Sequence, residues 1–372
     1  MLTGIVKVIV GGQDVTSRFS PRLETVSVSR AAREASDTIQ ILLADPDGTT
    51  LMPDTGAPIV VEMGHVGRGS GQVFEGFVDS VRSSGGKDKG RKLSIDGTSV
   101  DNKSKVKAPG LRSKAEATFG DVAKEWGQKA GLNVTVAGSL SGEFRDFWIM
   151  QQESFMGWGQ RMARELGASF KVIGGRAFFA PLNEGISASG KQLTGIRAAW
   201  GENLIDWDIA PMLGRPQYGK VKGRFYDIEK AKWEEVEQAV KDAGIDIDFR
   251  QLIGSATKDN ATQSSKSVSK DSEREKGQGS VTITGDYAAE PEASVTVSGT
   301  RAGIDGTYLL DSVTHSYSKG EGFRSSLTLR LPSEGAGKDA RGSASSSSSA
   351  GSTTGTRNGI ETVGGGFGGS TV

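Results

Sequence analysis

The segment from residue 73 to residue 181 constrains the fold most, because strand, helix and turn signals follow one another there in a fixed order. Alternating apolar residues predict two neighbouring strands, Val73–Val81 and Lys92–Lys105, on either side of a Gly/Lys turn. A helix and a following strand are predicted within Thr118–Val136, and a second helix and a hairpin within Gln151–Pro181. No nucleophile, general base or metal cage interrupts this run. The segment therefore indicates an architectural part rather than an enzyme.

Both predicted helices carry start and stop signals. Thr118 with Asp121 is typical of an N-cap and its partner three residues later, and Gly131 and Gly167 stand where terminating glycines belong. The Gly174-Gly175 pair predicts a hairpin. The apolar residues at helical spacing are Phe119, Val122, Ala123, Trp126 and Ala130 in the first helix and Phe155, Trp158, Met162 and Leu166 in the second. A ligand-binding stripe would use such aromatic residues, but the polar residues opposite them favour ordinary core packing.

Composition excludes several classes of function. The 372 residues include 45 basic and 45 acidic side chains, so no excess charge points to nucleic acid or to an anionic membrane as the main partner. There is no cysteine, which excludes disulfides and thiolate metal sites, and there are only two histidines, His65 and His315. We therefore expect no metal and no cofactor. The apolar N-terminal residues lack the basic region and the small-residue cleavage site of a signal peptide, so we interpret them as a strand, and no apolar run approaches the roughly 20 residues of a membrane helix.

Short strands separated by turn signals dominate both ends of the chain. The predicted strands are Gly4–Val10, Leu23–Arg30, Asp37–Asp45 and Ala57–His65 near the start, and SVTITGDY, ASVTVSG, GTYLLDSVTHSYS and FRSSLTLRLP after residue 279. This spacing predicts a sandwich or a barrel. The expected fold class is α+β and β-dominated. The expected domains are a first β domain at 1–109, an inserted α/β domain at 110–190, a second β domain at 191–332 and a Gly/Ser-rich tail at 333–372.

Residues 204–279 carry mixed signals. LIDWDIAP and QYGKVKGRFYDI read as strands, whereas the charged run Ile228–Gly244 predicts a helix with Val236 and Val240 on a narrow apolar face. The polar residues 255–279 fit either a solvated helix around Lys266–Lys276 or a loop. After Pro332 the chain is almost entirely Gly, Ser, Ala and Thr, and we expect it to be disordered because it cannot bury enough apolar surface.

Two glycine-rich motifs come close to nucleotide-binding signatures. Gly185–Gln192 (GISASGKQ) differs from a P-loop at its last position, where Gln192 replaces the Ser or Thr that holds magnesium, and the residues after it are poor helix formers. Gly364–Gly369 (GGGFGG) matches the dinucleotide-binding motif but neither follows a strand nor opens a helix. We interpret the first as a surface loop and the second as a chance match in a glycine-rich tail.

Acidic and histidine residues offer few candidates for catalysis. Asp45 and Asp47 hint at calcium binding, but the other ligands of an EF-hand loop are absent, so a β-turn is favoured. His315 and Asp311 lie four residues apart on one predicted strand face and could form a dyad. A histidine at a sheet edge or subunit contact is favoured instead, because no serine-nucleophile motif is present. Carboxylate pairs for glycoside hydrolysis stay open, since 45 acids offer many pairs.

Three groups of motifs follow one another along residues 1–332. The N-terminal group consists of G-x-D-V-T within Gly11–Thr16, the D-x-D-G turn Asp45–Gly48 and the strand Gly76–Val81. The middle group consists of the helix and strand of Asp121–Val136 and the pattern Q-x-E-S-x6-R-x-A-x-E-x-G of Gln151–Gly167. The C-terminal group consists of Val295–Gly299, Asp305–Ser318 and FRSSLTLRL. In this order the motifs resemble the late-control D family, the baseplate hub proteins of contractile phage tails. The same fold occurs at the N-terminal end of the valine-glycine repeat spike proteins of type VI secretion.

The resemblance implies two tube-like β-barrel domains in each subunit of a homotrimeric ring with pseudo-sixfold symmetry. One face would match the hexameric tail tube protein, and the other would hold a trimeric central spike protein. Other baseplate proteins and the tape measure protein would be further partners. The location would be the tail baseplate of the virion, after assembly in the host bacterial cytoplasm. The hub core of this family is structural, so no catalytic, cofactor-binding or metal residue carries over. The spike is expected to be a separate protein, because no spike-like domain follows residue 332.

Two other functions stay open at this level. The same scaffold could carry a cell-wall-degrading hydrolase, which would need an invaginated site with a perturbed carboxylate. A secreted effector or adhesin would need a targeting signal, which the sequence lacks. For the C-terminal tail, we hypothesise that it threads along the spike or the hub lumen and that Ile360–Phe367 becomes ordered on binding.

Overall fold

One long β-sheet organises the part of the chain that the computed structural model describes, namely residues 2–187, 189, 191–211, 218–240, 247–252, 254–255, 257–274 and 277–334. The glycine run at 364–369 and the tail segment Ile360–Phe367 lie outside the described residues. We call residues 2–108 the first part of the fold, residues 109–187 the middle part and residues 191–334 the third part.

Antiparallel strands around one apolar core build the first part. The elements are β1 Gly4–Val10, β2 Gln13–Asp14, α1 Thr16–Phe19, β3 Leu23–Ala31, β4 Thr38–Ala44, β5 Pro58–His65, β6 Gly69–Gly86 and β7 Gly90–Thr98, followed by a 3-10 turn at Lys105–Lys107. Strand alternation places one side of each strand in the core, where Val26, Ile41, Ile59 and Ile95 are fully buried. Each such side chain contributes on the order of 1.5–3 kcal/mol to folding. The strands predicted within residues 4–81 are confirmed, whereas the strand predicted over Lys92–Lys105 ends at Thr98 and is followed by the turn at Lys105–Lys107.

The middle part packs two helices against a small sheet, beside a two-stranded ribbon. The elements are β8 Pro109–Thr118, α2 Phe119–Lys129, β9 Asn133–Val136, α3 Gly138–Ser141, β10 Phe144–Ser154, α4 Phe155–Leu166, β11 Ala168–Ile173 and β12 Arg176–Pro181. β8 pairs with β10 as the ribbon, whereas β12 pairs with both β9 and β11. The Thr118 hydroxyl accepts a hydrogen bond from the Asp121 N–H, and Gly167 ends α4 with a φ of 65°. The predicted helices, caps and hairpin are therefore confirmed.

The aromatic stripes of α2 and α4 meet in the core of the middle part. The ring centroids of Trp126 and Trp158 lie 5.0 Å apart, and Phe119 packs edge-on against Phe179 at 4.9 Å. All four rings are almost completely buried. Aromatic pairs in such geometries stabilise a fold beyond the burial of their area. The stripes are therefore core packing, as the helical spacing favours, and not a ligand site.

The third part adds one sheet that continues the first and one that stands apart. The elements are β13 Ile196–Ala199, β14 Leu204–Ala210, β15 Lys220–Asp227, β16 Lys232–Ala239, β17 Asp248–Arg250, α5 Lys258–Arg274, β18 Gln278–Thr284, β19 Ser294–Ser298, β20 Gly306–Ser318 and β21 Gly322–Glu334. Strands β15, β16 and β17 form the separate sheet, and α5 packs on it. Val281, Ile283, Leu310 and Leu327 are buried in the core of the remaining strands. The four strands predicted after residue 279 are confirmed.

The helix predicted at Ile228–Gly244 is wrong. The chain turns after β15, where Ala231 adopts a φ of 49°, and Lys232–Ala239 forms the strand β16 antiparallel to β15. The run contains good helix formers. From Trp233 to Ala239, however, exposed residues alternate with half-buried ones, as in a strand with one face towards solvent. Pairing with β15 outweighs helix propensity, which is a weak preference. Residues 241–246 lie outside the described residues. Of the two alternatives at 255–279, the helix is observed as α5, but it begins at Lys258 and is not fully solvated, because it packs on β15 and β16 and buries Ser265 and Ser269.

Strand β20 joins the first and third parts into one sheet. It pairs with β21 along its length and with β19 at its start, while Ser312–Ser318 pair with β3 on the other side. The strand order is β14-β18-β21-β20-β3-β4-β7-β6-β5-β1-β2, with β19 and β13 branching from β20. Two apolar cores lie along this sheet, and Phe323 of β21 belongs to the core of the first part. The predicted class, α+β and β-dominated, is confirmed.

Candidate functional site

His315 lies in the buried core of the fold. β20 is paired on both sides, so His315 does not lie on an edge strand. Its side chain is fully buried, and its Nδ1 lies 2.9 Å from Ser325 Oγ. Asp311 instead forms an ion pair with Arg330 at 2.6 Å. A register shift at Asp311 breaks the strand alternation, so a spacing of four residues does not bring the two side chains together. The dyad is therefore wrong, and so is the expected position of His315 at a sheet edge or subunit contact.

Asp45 and Asp47 lie in a turn that an arginine holds together. The Gly48 N–H donates to the Asp45 carbonyl at 3.1 Å, which closes the predicted β-turn. Arg22 donates to the Asp45 carboxylate at 2.9 Å and to both Asp47 carboxylate oxygens at 2.6 and 2.8 Å. Its guanidinium takes the place that a bound cation would need, and its hydrogen bonds hold the pKa of Asp47 well below the usual range. The turn is therefore confirmed.

The near-P-loop at Gly185–Gln192 is a closed loop. Ile186 forms a bridge with Gln192, and the Leu193 N–H donates to the Gly185 carbonyl at 2.8 Å. The next element along the chain is the strand β13 rather than a helix. The loop therefore lacks the helix N-terminus on which a phosphate would bind. The described residues of this motif form the expected loop, and residues 188 and 190 lie outside the described residues.

Metal binding and membrane insertion are two further possibilities for the described residues. Across the described ranges, no group of three or more His, Asp and Glu side chains is placed to hold a metal ion. Within that part of the chain, no helix combines the length and the apolarity needed to cross a bilayer.

A buried ion cluster joins the middle part to the first part. Lys171 of β11 donates a hydrogen bond to the Asp37 carboxylate, and Arg30 of β3 lies 3.6 Å from the same carboxylate. Beside them, the Val172 N–H donates to the Ala35 carbonyl at 2.8 Å. Sequence reasoning missed this cluster, because Asp37 and Lys171 stand 134 residues apart and neither belongs to a motif.

A second interior joint packs the first part against the third. His65, at the end of β5, places Nε2 2.9 Å from the Gly285 carbonyl, and its ring lies 5.3 Å from that of Phe323. Gly71 of β6 lies under Tyr287, where an added Cβ would meet the ring at 2.4 Å. Close side-chain packing therefore supports the continuous sheet where the first and third parts meet.

The outer surface has three features suited to assembly. β14 pairs only with β18 among the strands of the described residues, so the sheet ends there in an open edge. The hairpin between β6 and β7 exposes every residue from 82 to 91. The β8–β10 ribbon exposes Leu111, Phe144 and Phe147, each more than half exposed. Exposed apolar groups and open edges are the usual attachment points between protein subunits.

Comparison with known proteins connects this fold to phage tails. No protein-family model matches the chain. It is 27% identical over 194 residues to the "Probable baseplate hub protein" of Escherichia phage P2, and 27% identical over 182 residues to the protein of the same name in Escherichia phage 186. These alignments cover 52% and 49% of this chain. The chain spans about half the length of these curated relatives, 49% and 46%.

Solved structures of tail proteins share the fold. The 43 kDa tail protein of prophage MuSo2 from Shewanella oneidensis aligns with a TM-score of 0.67 and 14% identity, over 89% of this chain and 99% of that chain. A tail protein from Neisseria meningitidis MC58 aligns with a TM-score of 0.65 and 15% identity, over 88% and 96%. The E. coli c3393 protein, a component of the type VI secretion system, aligns with a TM-score of 0.50 and 10% identity, over 86% and 76%. The resemblance to baseplate hub proteins, phage tail proteins and type VI secretion proteins is therefore confirmed.

Proposed function

We propose that this chain is the structural baseplate hub of a contractile tail, where it forms a trimeric ring between a hexameric tail tube and a trimeric central spike. The observation that carries the proposal is the single sheet with two apolar cores, joined where β20 pairs with β3, in a fold shared with tail proteins. Similarity to the hub proteins of phages P2 and 186 supports the same assignment.

The symmetry of the proposed ring follows from the two cores. We assign one tube-like barrel to residues 1–109 and the other to 191–332, with the α/β insertion 110–190 beside them. Three copies would then present six similar segments to a sixfold tube and three identical surfaces to a threefold spike. The close packing of the first part against the third suits this role, because each copy would have to hold its two segments in fixed positions in the ring.

The proposed partners are the tail tube protein, the central spike protein, other baseplate proteins and the tape measure protein. The proposed location is the virion tail, with assembly in the host cytoplasm. A structural role rather than an enzymatic one is supported by the positions of the candidate residues, since His315 is buried and Asp45 and Asp47 are bound by Arg22. A hydrolase on this scaffold stays the alternative to be tested.

Light scattering of the purified protein, with and without the neighbouring spike protein, tests the proposal. We expect a mass of three times the 39.1 kDa chain, either alone or on addition of spike. A stable monomer whose mass does not change when the spike protein is added would contradict the ring. A zymogram on peptidoglycan provides the separate test of the hydrolase, and a clearing zone there would overturn the structural assignment.

A further inference from the structure

The hairpin between β6 and β7 ends in a basic arm, defined here as residues 82–91. All ten residues are exposed, yet the strand ladder continues to the Gly86–Gly90 pair, so the arm is an ordered ribbon rather than a loose loop. It carries four cations, Arg82, Lys87, Lys89 and Arg91, against the single acid Asp88. None of these four cations forms an ion pair with another described residue. The arm therefore exposes an excess of positive charge to solvent.

The opposite charge is exposed on the open edge of the sheet. β14 hydrogen-bonds to β18 on one side, and beyond a single bridge between Trp200 and Leu204 its other side has no strand partner in the described chain. Asp206 and Asp208 are exposed along this strand without an ion pair to any described residue, and Ile205 of the same strand is 41% exposed. We call this strand the acidic edge.

The two surfaces complement each other in backbone and in charge. An open edge presents unpaired N–H and C=O groups that can accept another strand. Carboxylates on such an edge repel a second acidic edge and favour a strand with cations at the facing positions, because like charges across a strand pair are destabilising. The arm supplies an extended backbone and cations, and its glycines at 85, 86 and 90 allow a close approach.

We propose that the basic arm of one copy docks along the acidic edge of the next copy. The proposal rests on the proposed function, because it names the contact that closes the ring. The arm belongs to the first part and the acidic edge to the third part. Each copy would therefore contact one neighbour through its arm and the other neighbour through its acidic edge. Such a head-to-tail contact between two different surfaces produces a closed ring when the rotation between copies is right.

Charge reversal tests this contact. One variant combines Arg82→Glu with Lys89→Glu, and the second combines Asp206→Lys with Asp208→Lys; all four positions are exposed, so the fold should persist, as circular dichroism will check. Each variant alone should weaken association roughly tenfold or more in light scattering at low salt. The chain that carries all four changes should recover association, since the charges are again opposite. Lys107→Glu with Lys124→Glu is the matched control, because both lysines are exposed outside the arm and the edge.

Cross-linking tests the same contact even where association is weak. The chain has no cysteine, so Ser84→Cys in the arm and Ile205→Cys on the edge give two single-cysteine proteins. We expect a disulfide dimer in the mixture of the two and much less in either protein alone. Equal cross-linking in all three samples, or none in the mixture, would overturn the proposal.

The results also separate this proposal from the function on which it rests. A ring whose mass survives both charge-reversal variants overturns the arm contact and leaves the hub function standing. A wild-type chain that stays monomeric with and without spike contradicts the hub function. If the arm variant keeps the ring but loses binding to the tail tube protein or to DNA, the arm serves that partner instead, and the copy-to-copy contact is overturned.

Discussion

Lys171 and Asp37 form a buried, hydrogen-bonded ion pair across the boundary between the middle and first parts, although 134 residues separate them in the chain. Their side chains are only 16% and 6% exposed. Burial lowers the pKa of Lys171, and the neighbouring Asp37 carboxylate opposes that shift. Removing either partner would leave the other buried with less compensation for its charge. The pair therefore fixes how the middle part sits against the sheet.

Lys171→Met keeps an unbranched side chain, one atom shorter, and removes its charge. We expect this change to lower the free energy of unfolding by about 3 kcal/mol, because Asp37 loses its closest partner. Arg30, 3.6 Å from Asp37, limits the loss. Lys171→Met combined with Asp37→Asn should cost less than the sum of the two single changes, since no charge is then left alone. Urea unfolding of the four proteins measures this coupling, and strictly additive losses would contradict a direct interaction.

Two glycines of α4 provide a matched pair of packing tests. A Cβ at Gly159 would lie 2.6 Å from the Phe170 ring, whereas a Cβ at Gly157 would meet nothing closer than the Ser154 hydroxyl at 3.5 Å. Gly159→Ala should lower the free energy of unfolding by roughly 1–3 kcal/mol through overpacking. Gly157→Ala should raise it by about 0.5 kcal/mol, because alanine favours a helix. Thermal unfolding gives both values, and effects of the same sign would show that packing does not decide them.

Local features of this fold were predictable because local residues determine them. The cap at Thr118, the left-handed Gly167 and the alternating strand β3 each depend on neighbours within a few residues. The segment Lys232–Ala239 was mispredicted because its Glu and Lys content favours a helix, while its strand form depends on β15.

The assembly features and joints depend on distant residues, so single-sequence patterns do not reveal them. The interior position of β20, which carries His315, follows from its pairing with β3, and β3 lies nearly 300 residues earlier in the chain. The open edge of β14 is likewise visible only once the strand order is known. The charges of the basic arm were present in the sequence, but their isolation from carboxylates is a property of the folded surface.

Arg22 should control the order of the turn at Asp45–Thr50. Arg22→Gln removes the guanidinium between Asp45 and Asp47, and the two carboxylates then repel each other. We expect amide hydrogen exchange at Gly48 and Thr50 to accelerate by about tenfold, because their N–H groups bond to Asp45. Exchange within the sheet core should not change.

Lys92→Gln is the control for the Arg22 variant. It removes the hydrogen bond that Lys92 of β7 donates to Glu24 of β3, and the Lys92 side chain forms no hydrogen bond with the turn. Equal acceleration at Gly48 in both variants would mean that the turn responds to general loosening and not to the loss of Arg22. Added calcium should not restore protection in Arg22→Gln, since the remaining ligands for an EF-hand loop are absent.

Buried His315 should make the stability of the protein depend on pH. Burial, with a smaller contribution from Arg30, lowers the pKa of His315 to about 3, whereas the unfolded chain titrates near its ordinary value of 6.5. Between these two pH values the unfolded state binds more protons, so the free energy of unfolding falls as the pH falls from 6.5 towards 3. At pH 4.5 this group alone should cost about 2–3 kcal/mol relative to pH 7.

The difference in pH slope between wild type and His315→Gln isolates that contribution. Gln keeps a hydrogen-bonding group near Ser325 but does not titrate. From pH 7 to pH 4.5, the variant should therefore lose roughly 2 kcal/mol less free energy of unfolding than wild type. Phe323→Leu controls for general damage, because Phe323 packs 5.9 Å from the same imidazole and its loss should lower stability without changing the slope. Urea unfolding at both pH values supplies the slopes. If wild type and His315→Gln lose equal stability on acidification, His315 titrates normally in the folded protein, and the acid sensitivity belongs to the carboxylates that hold the turn and the joints.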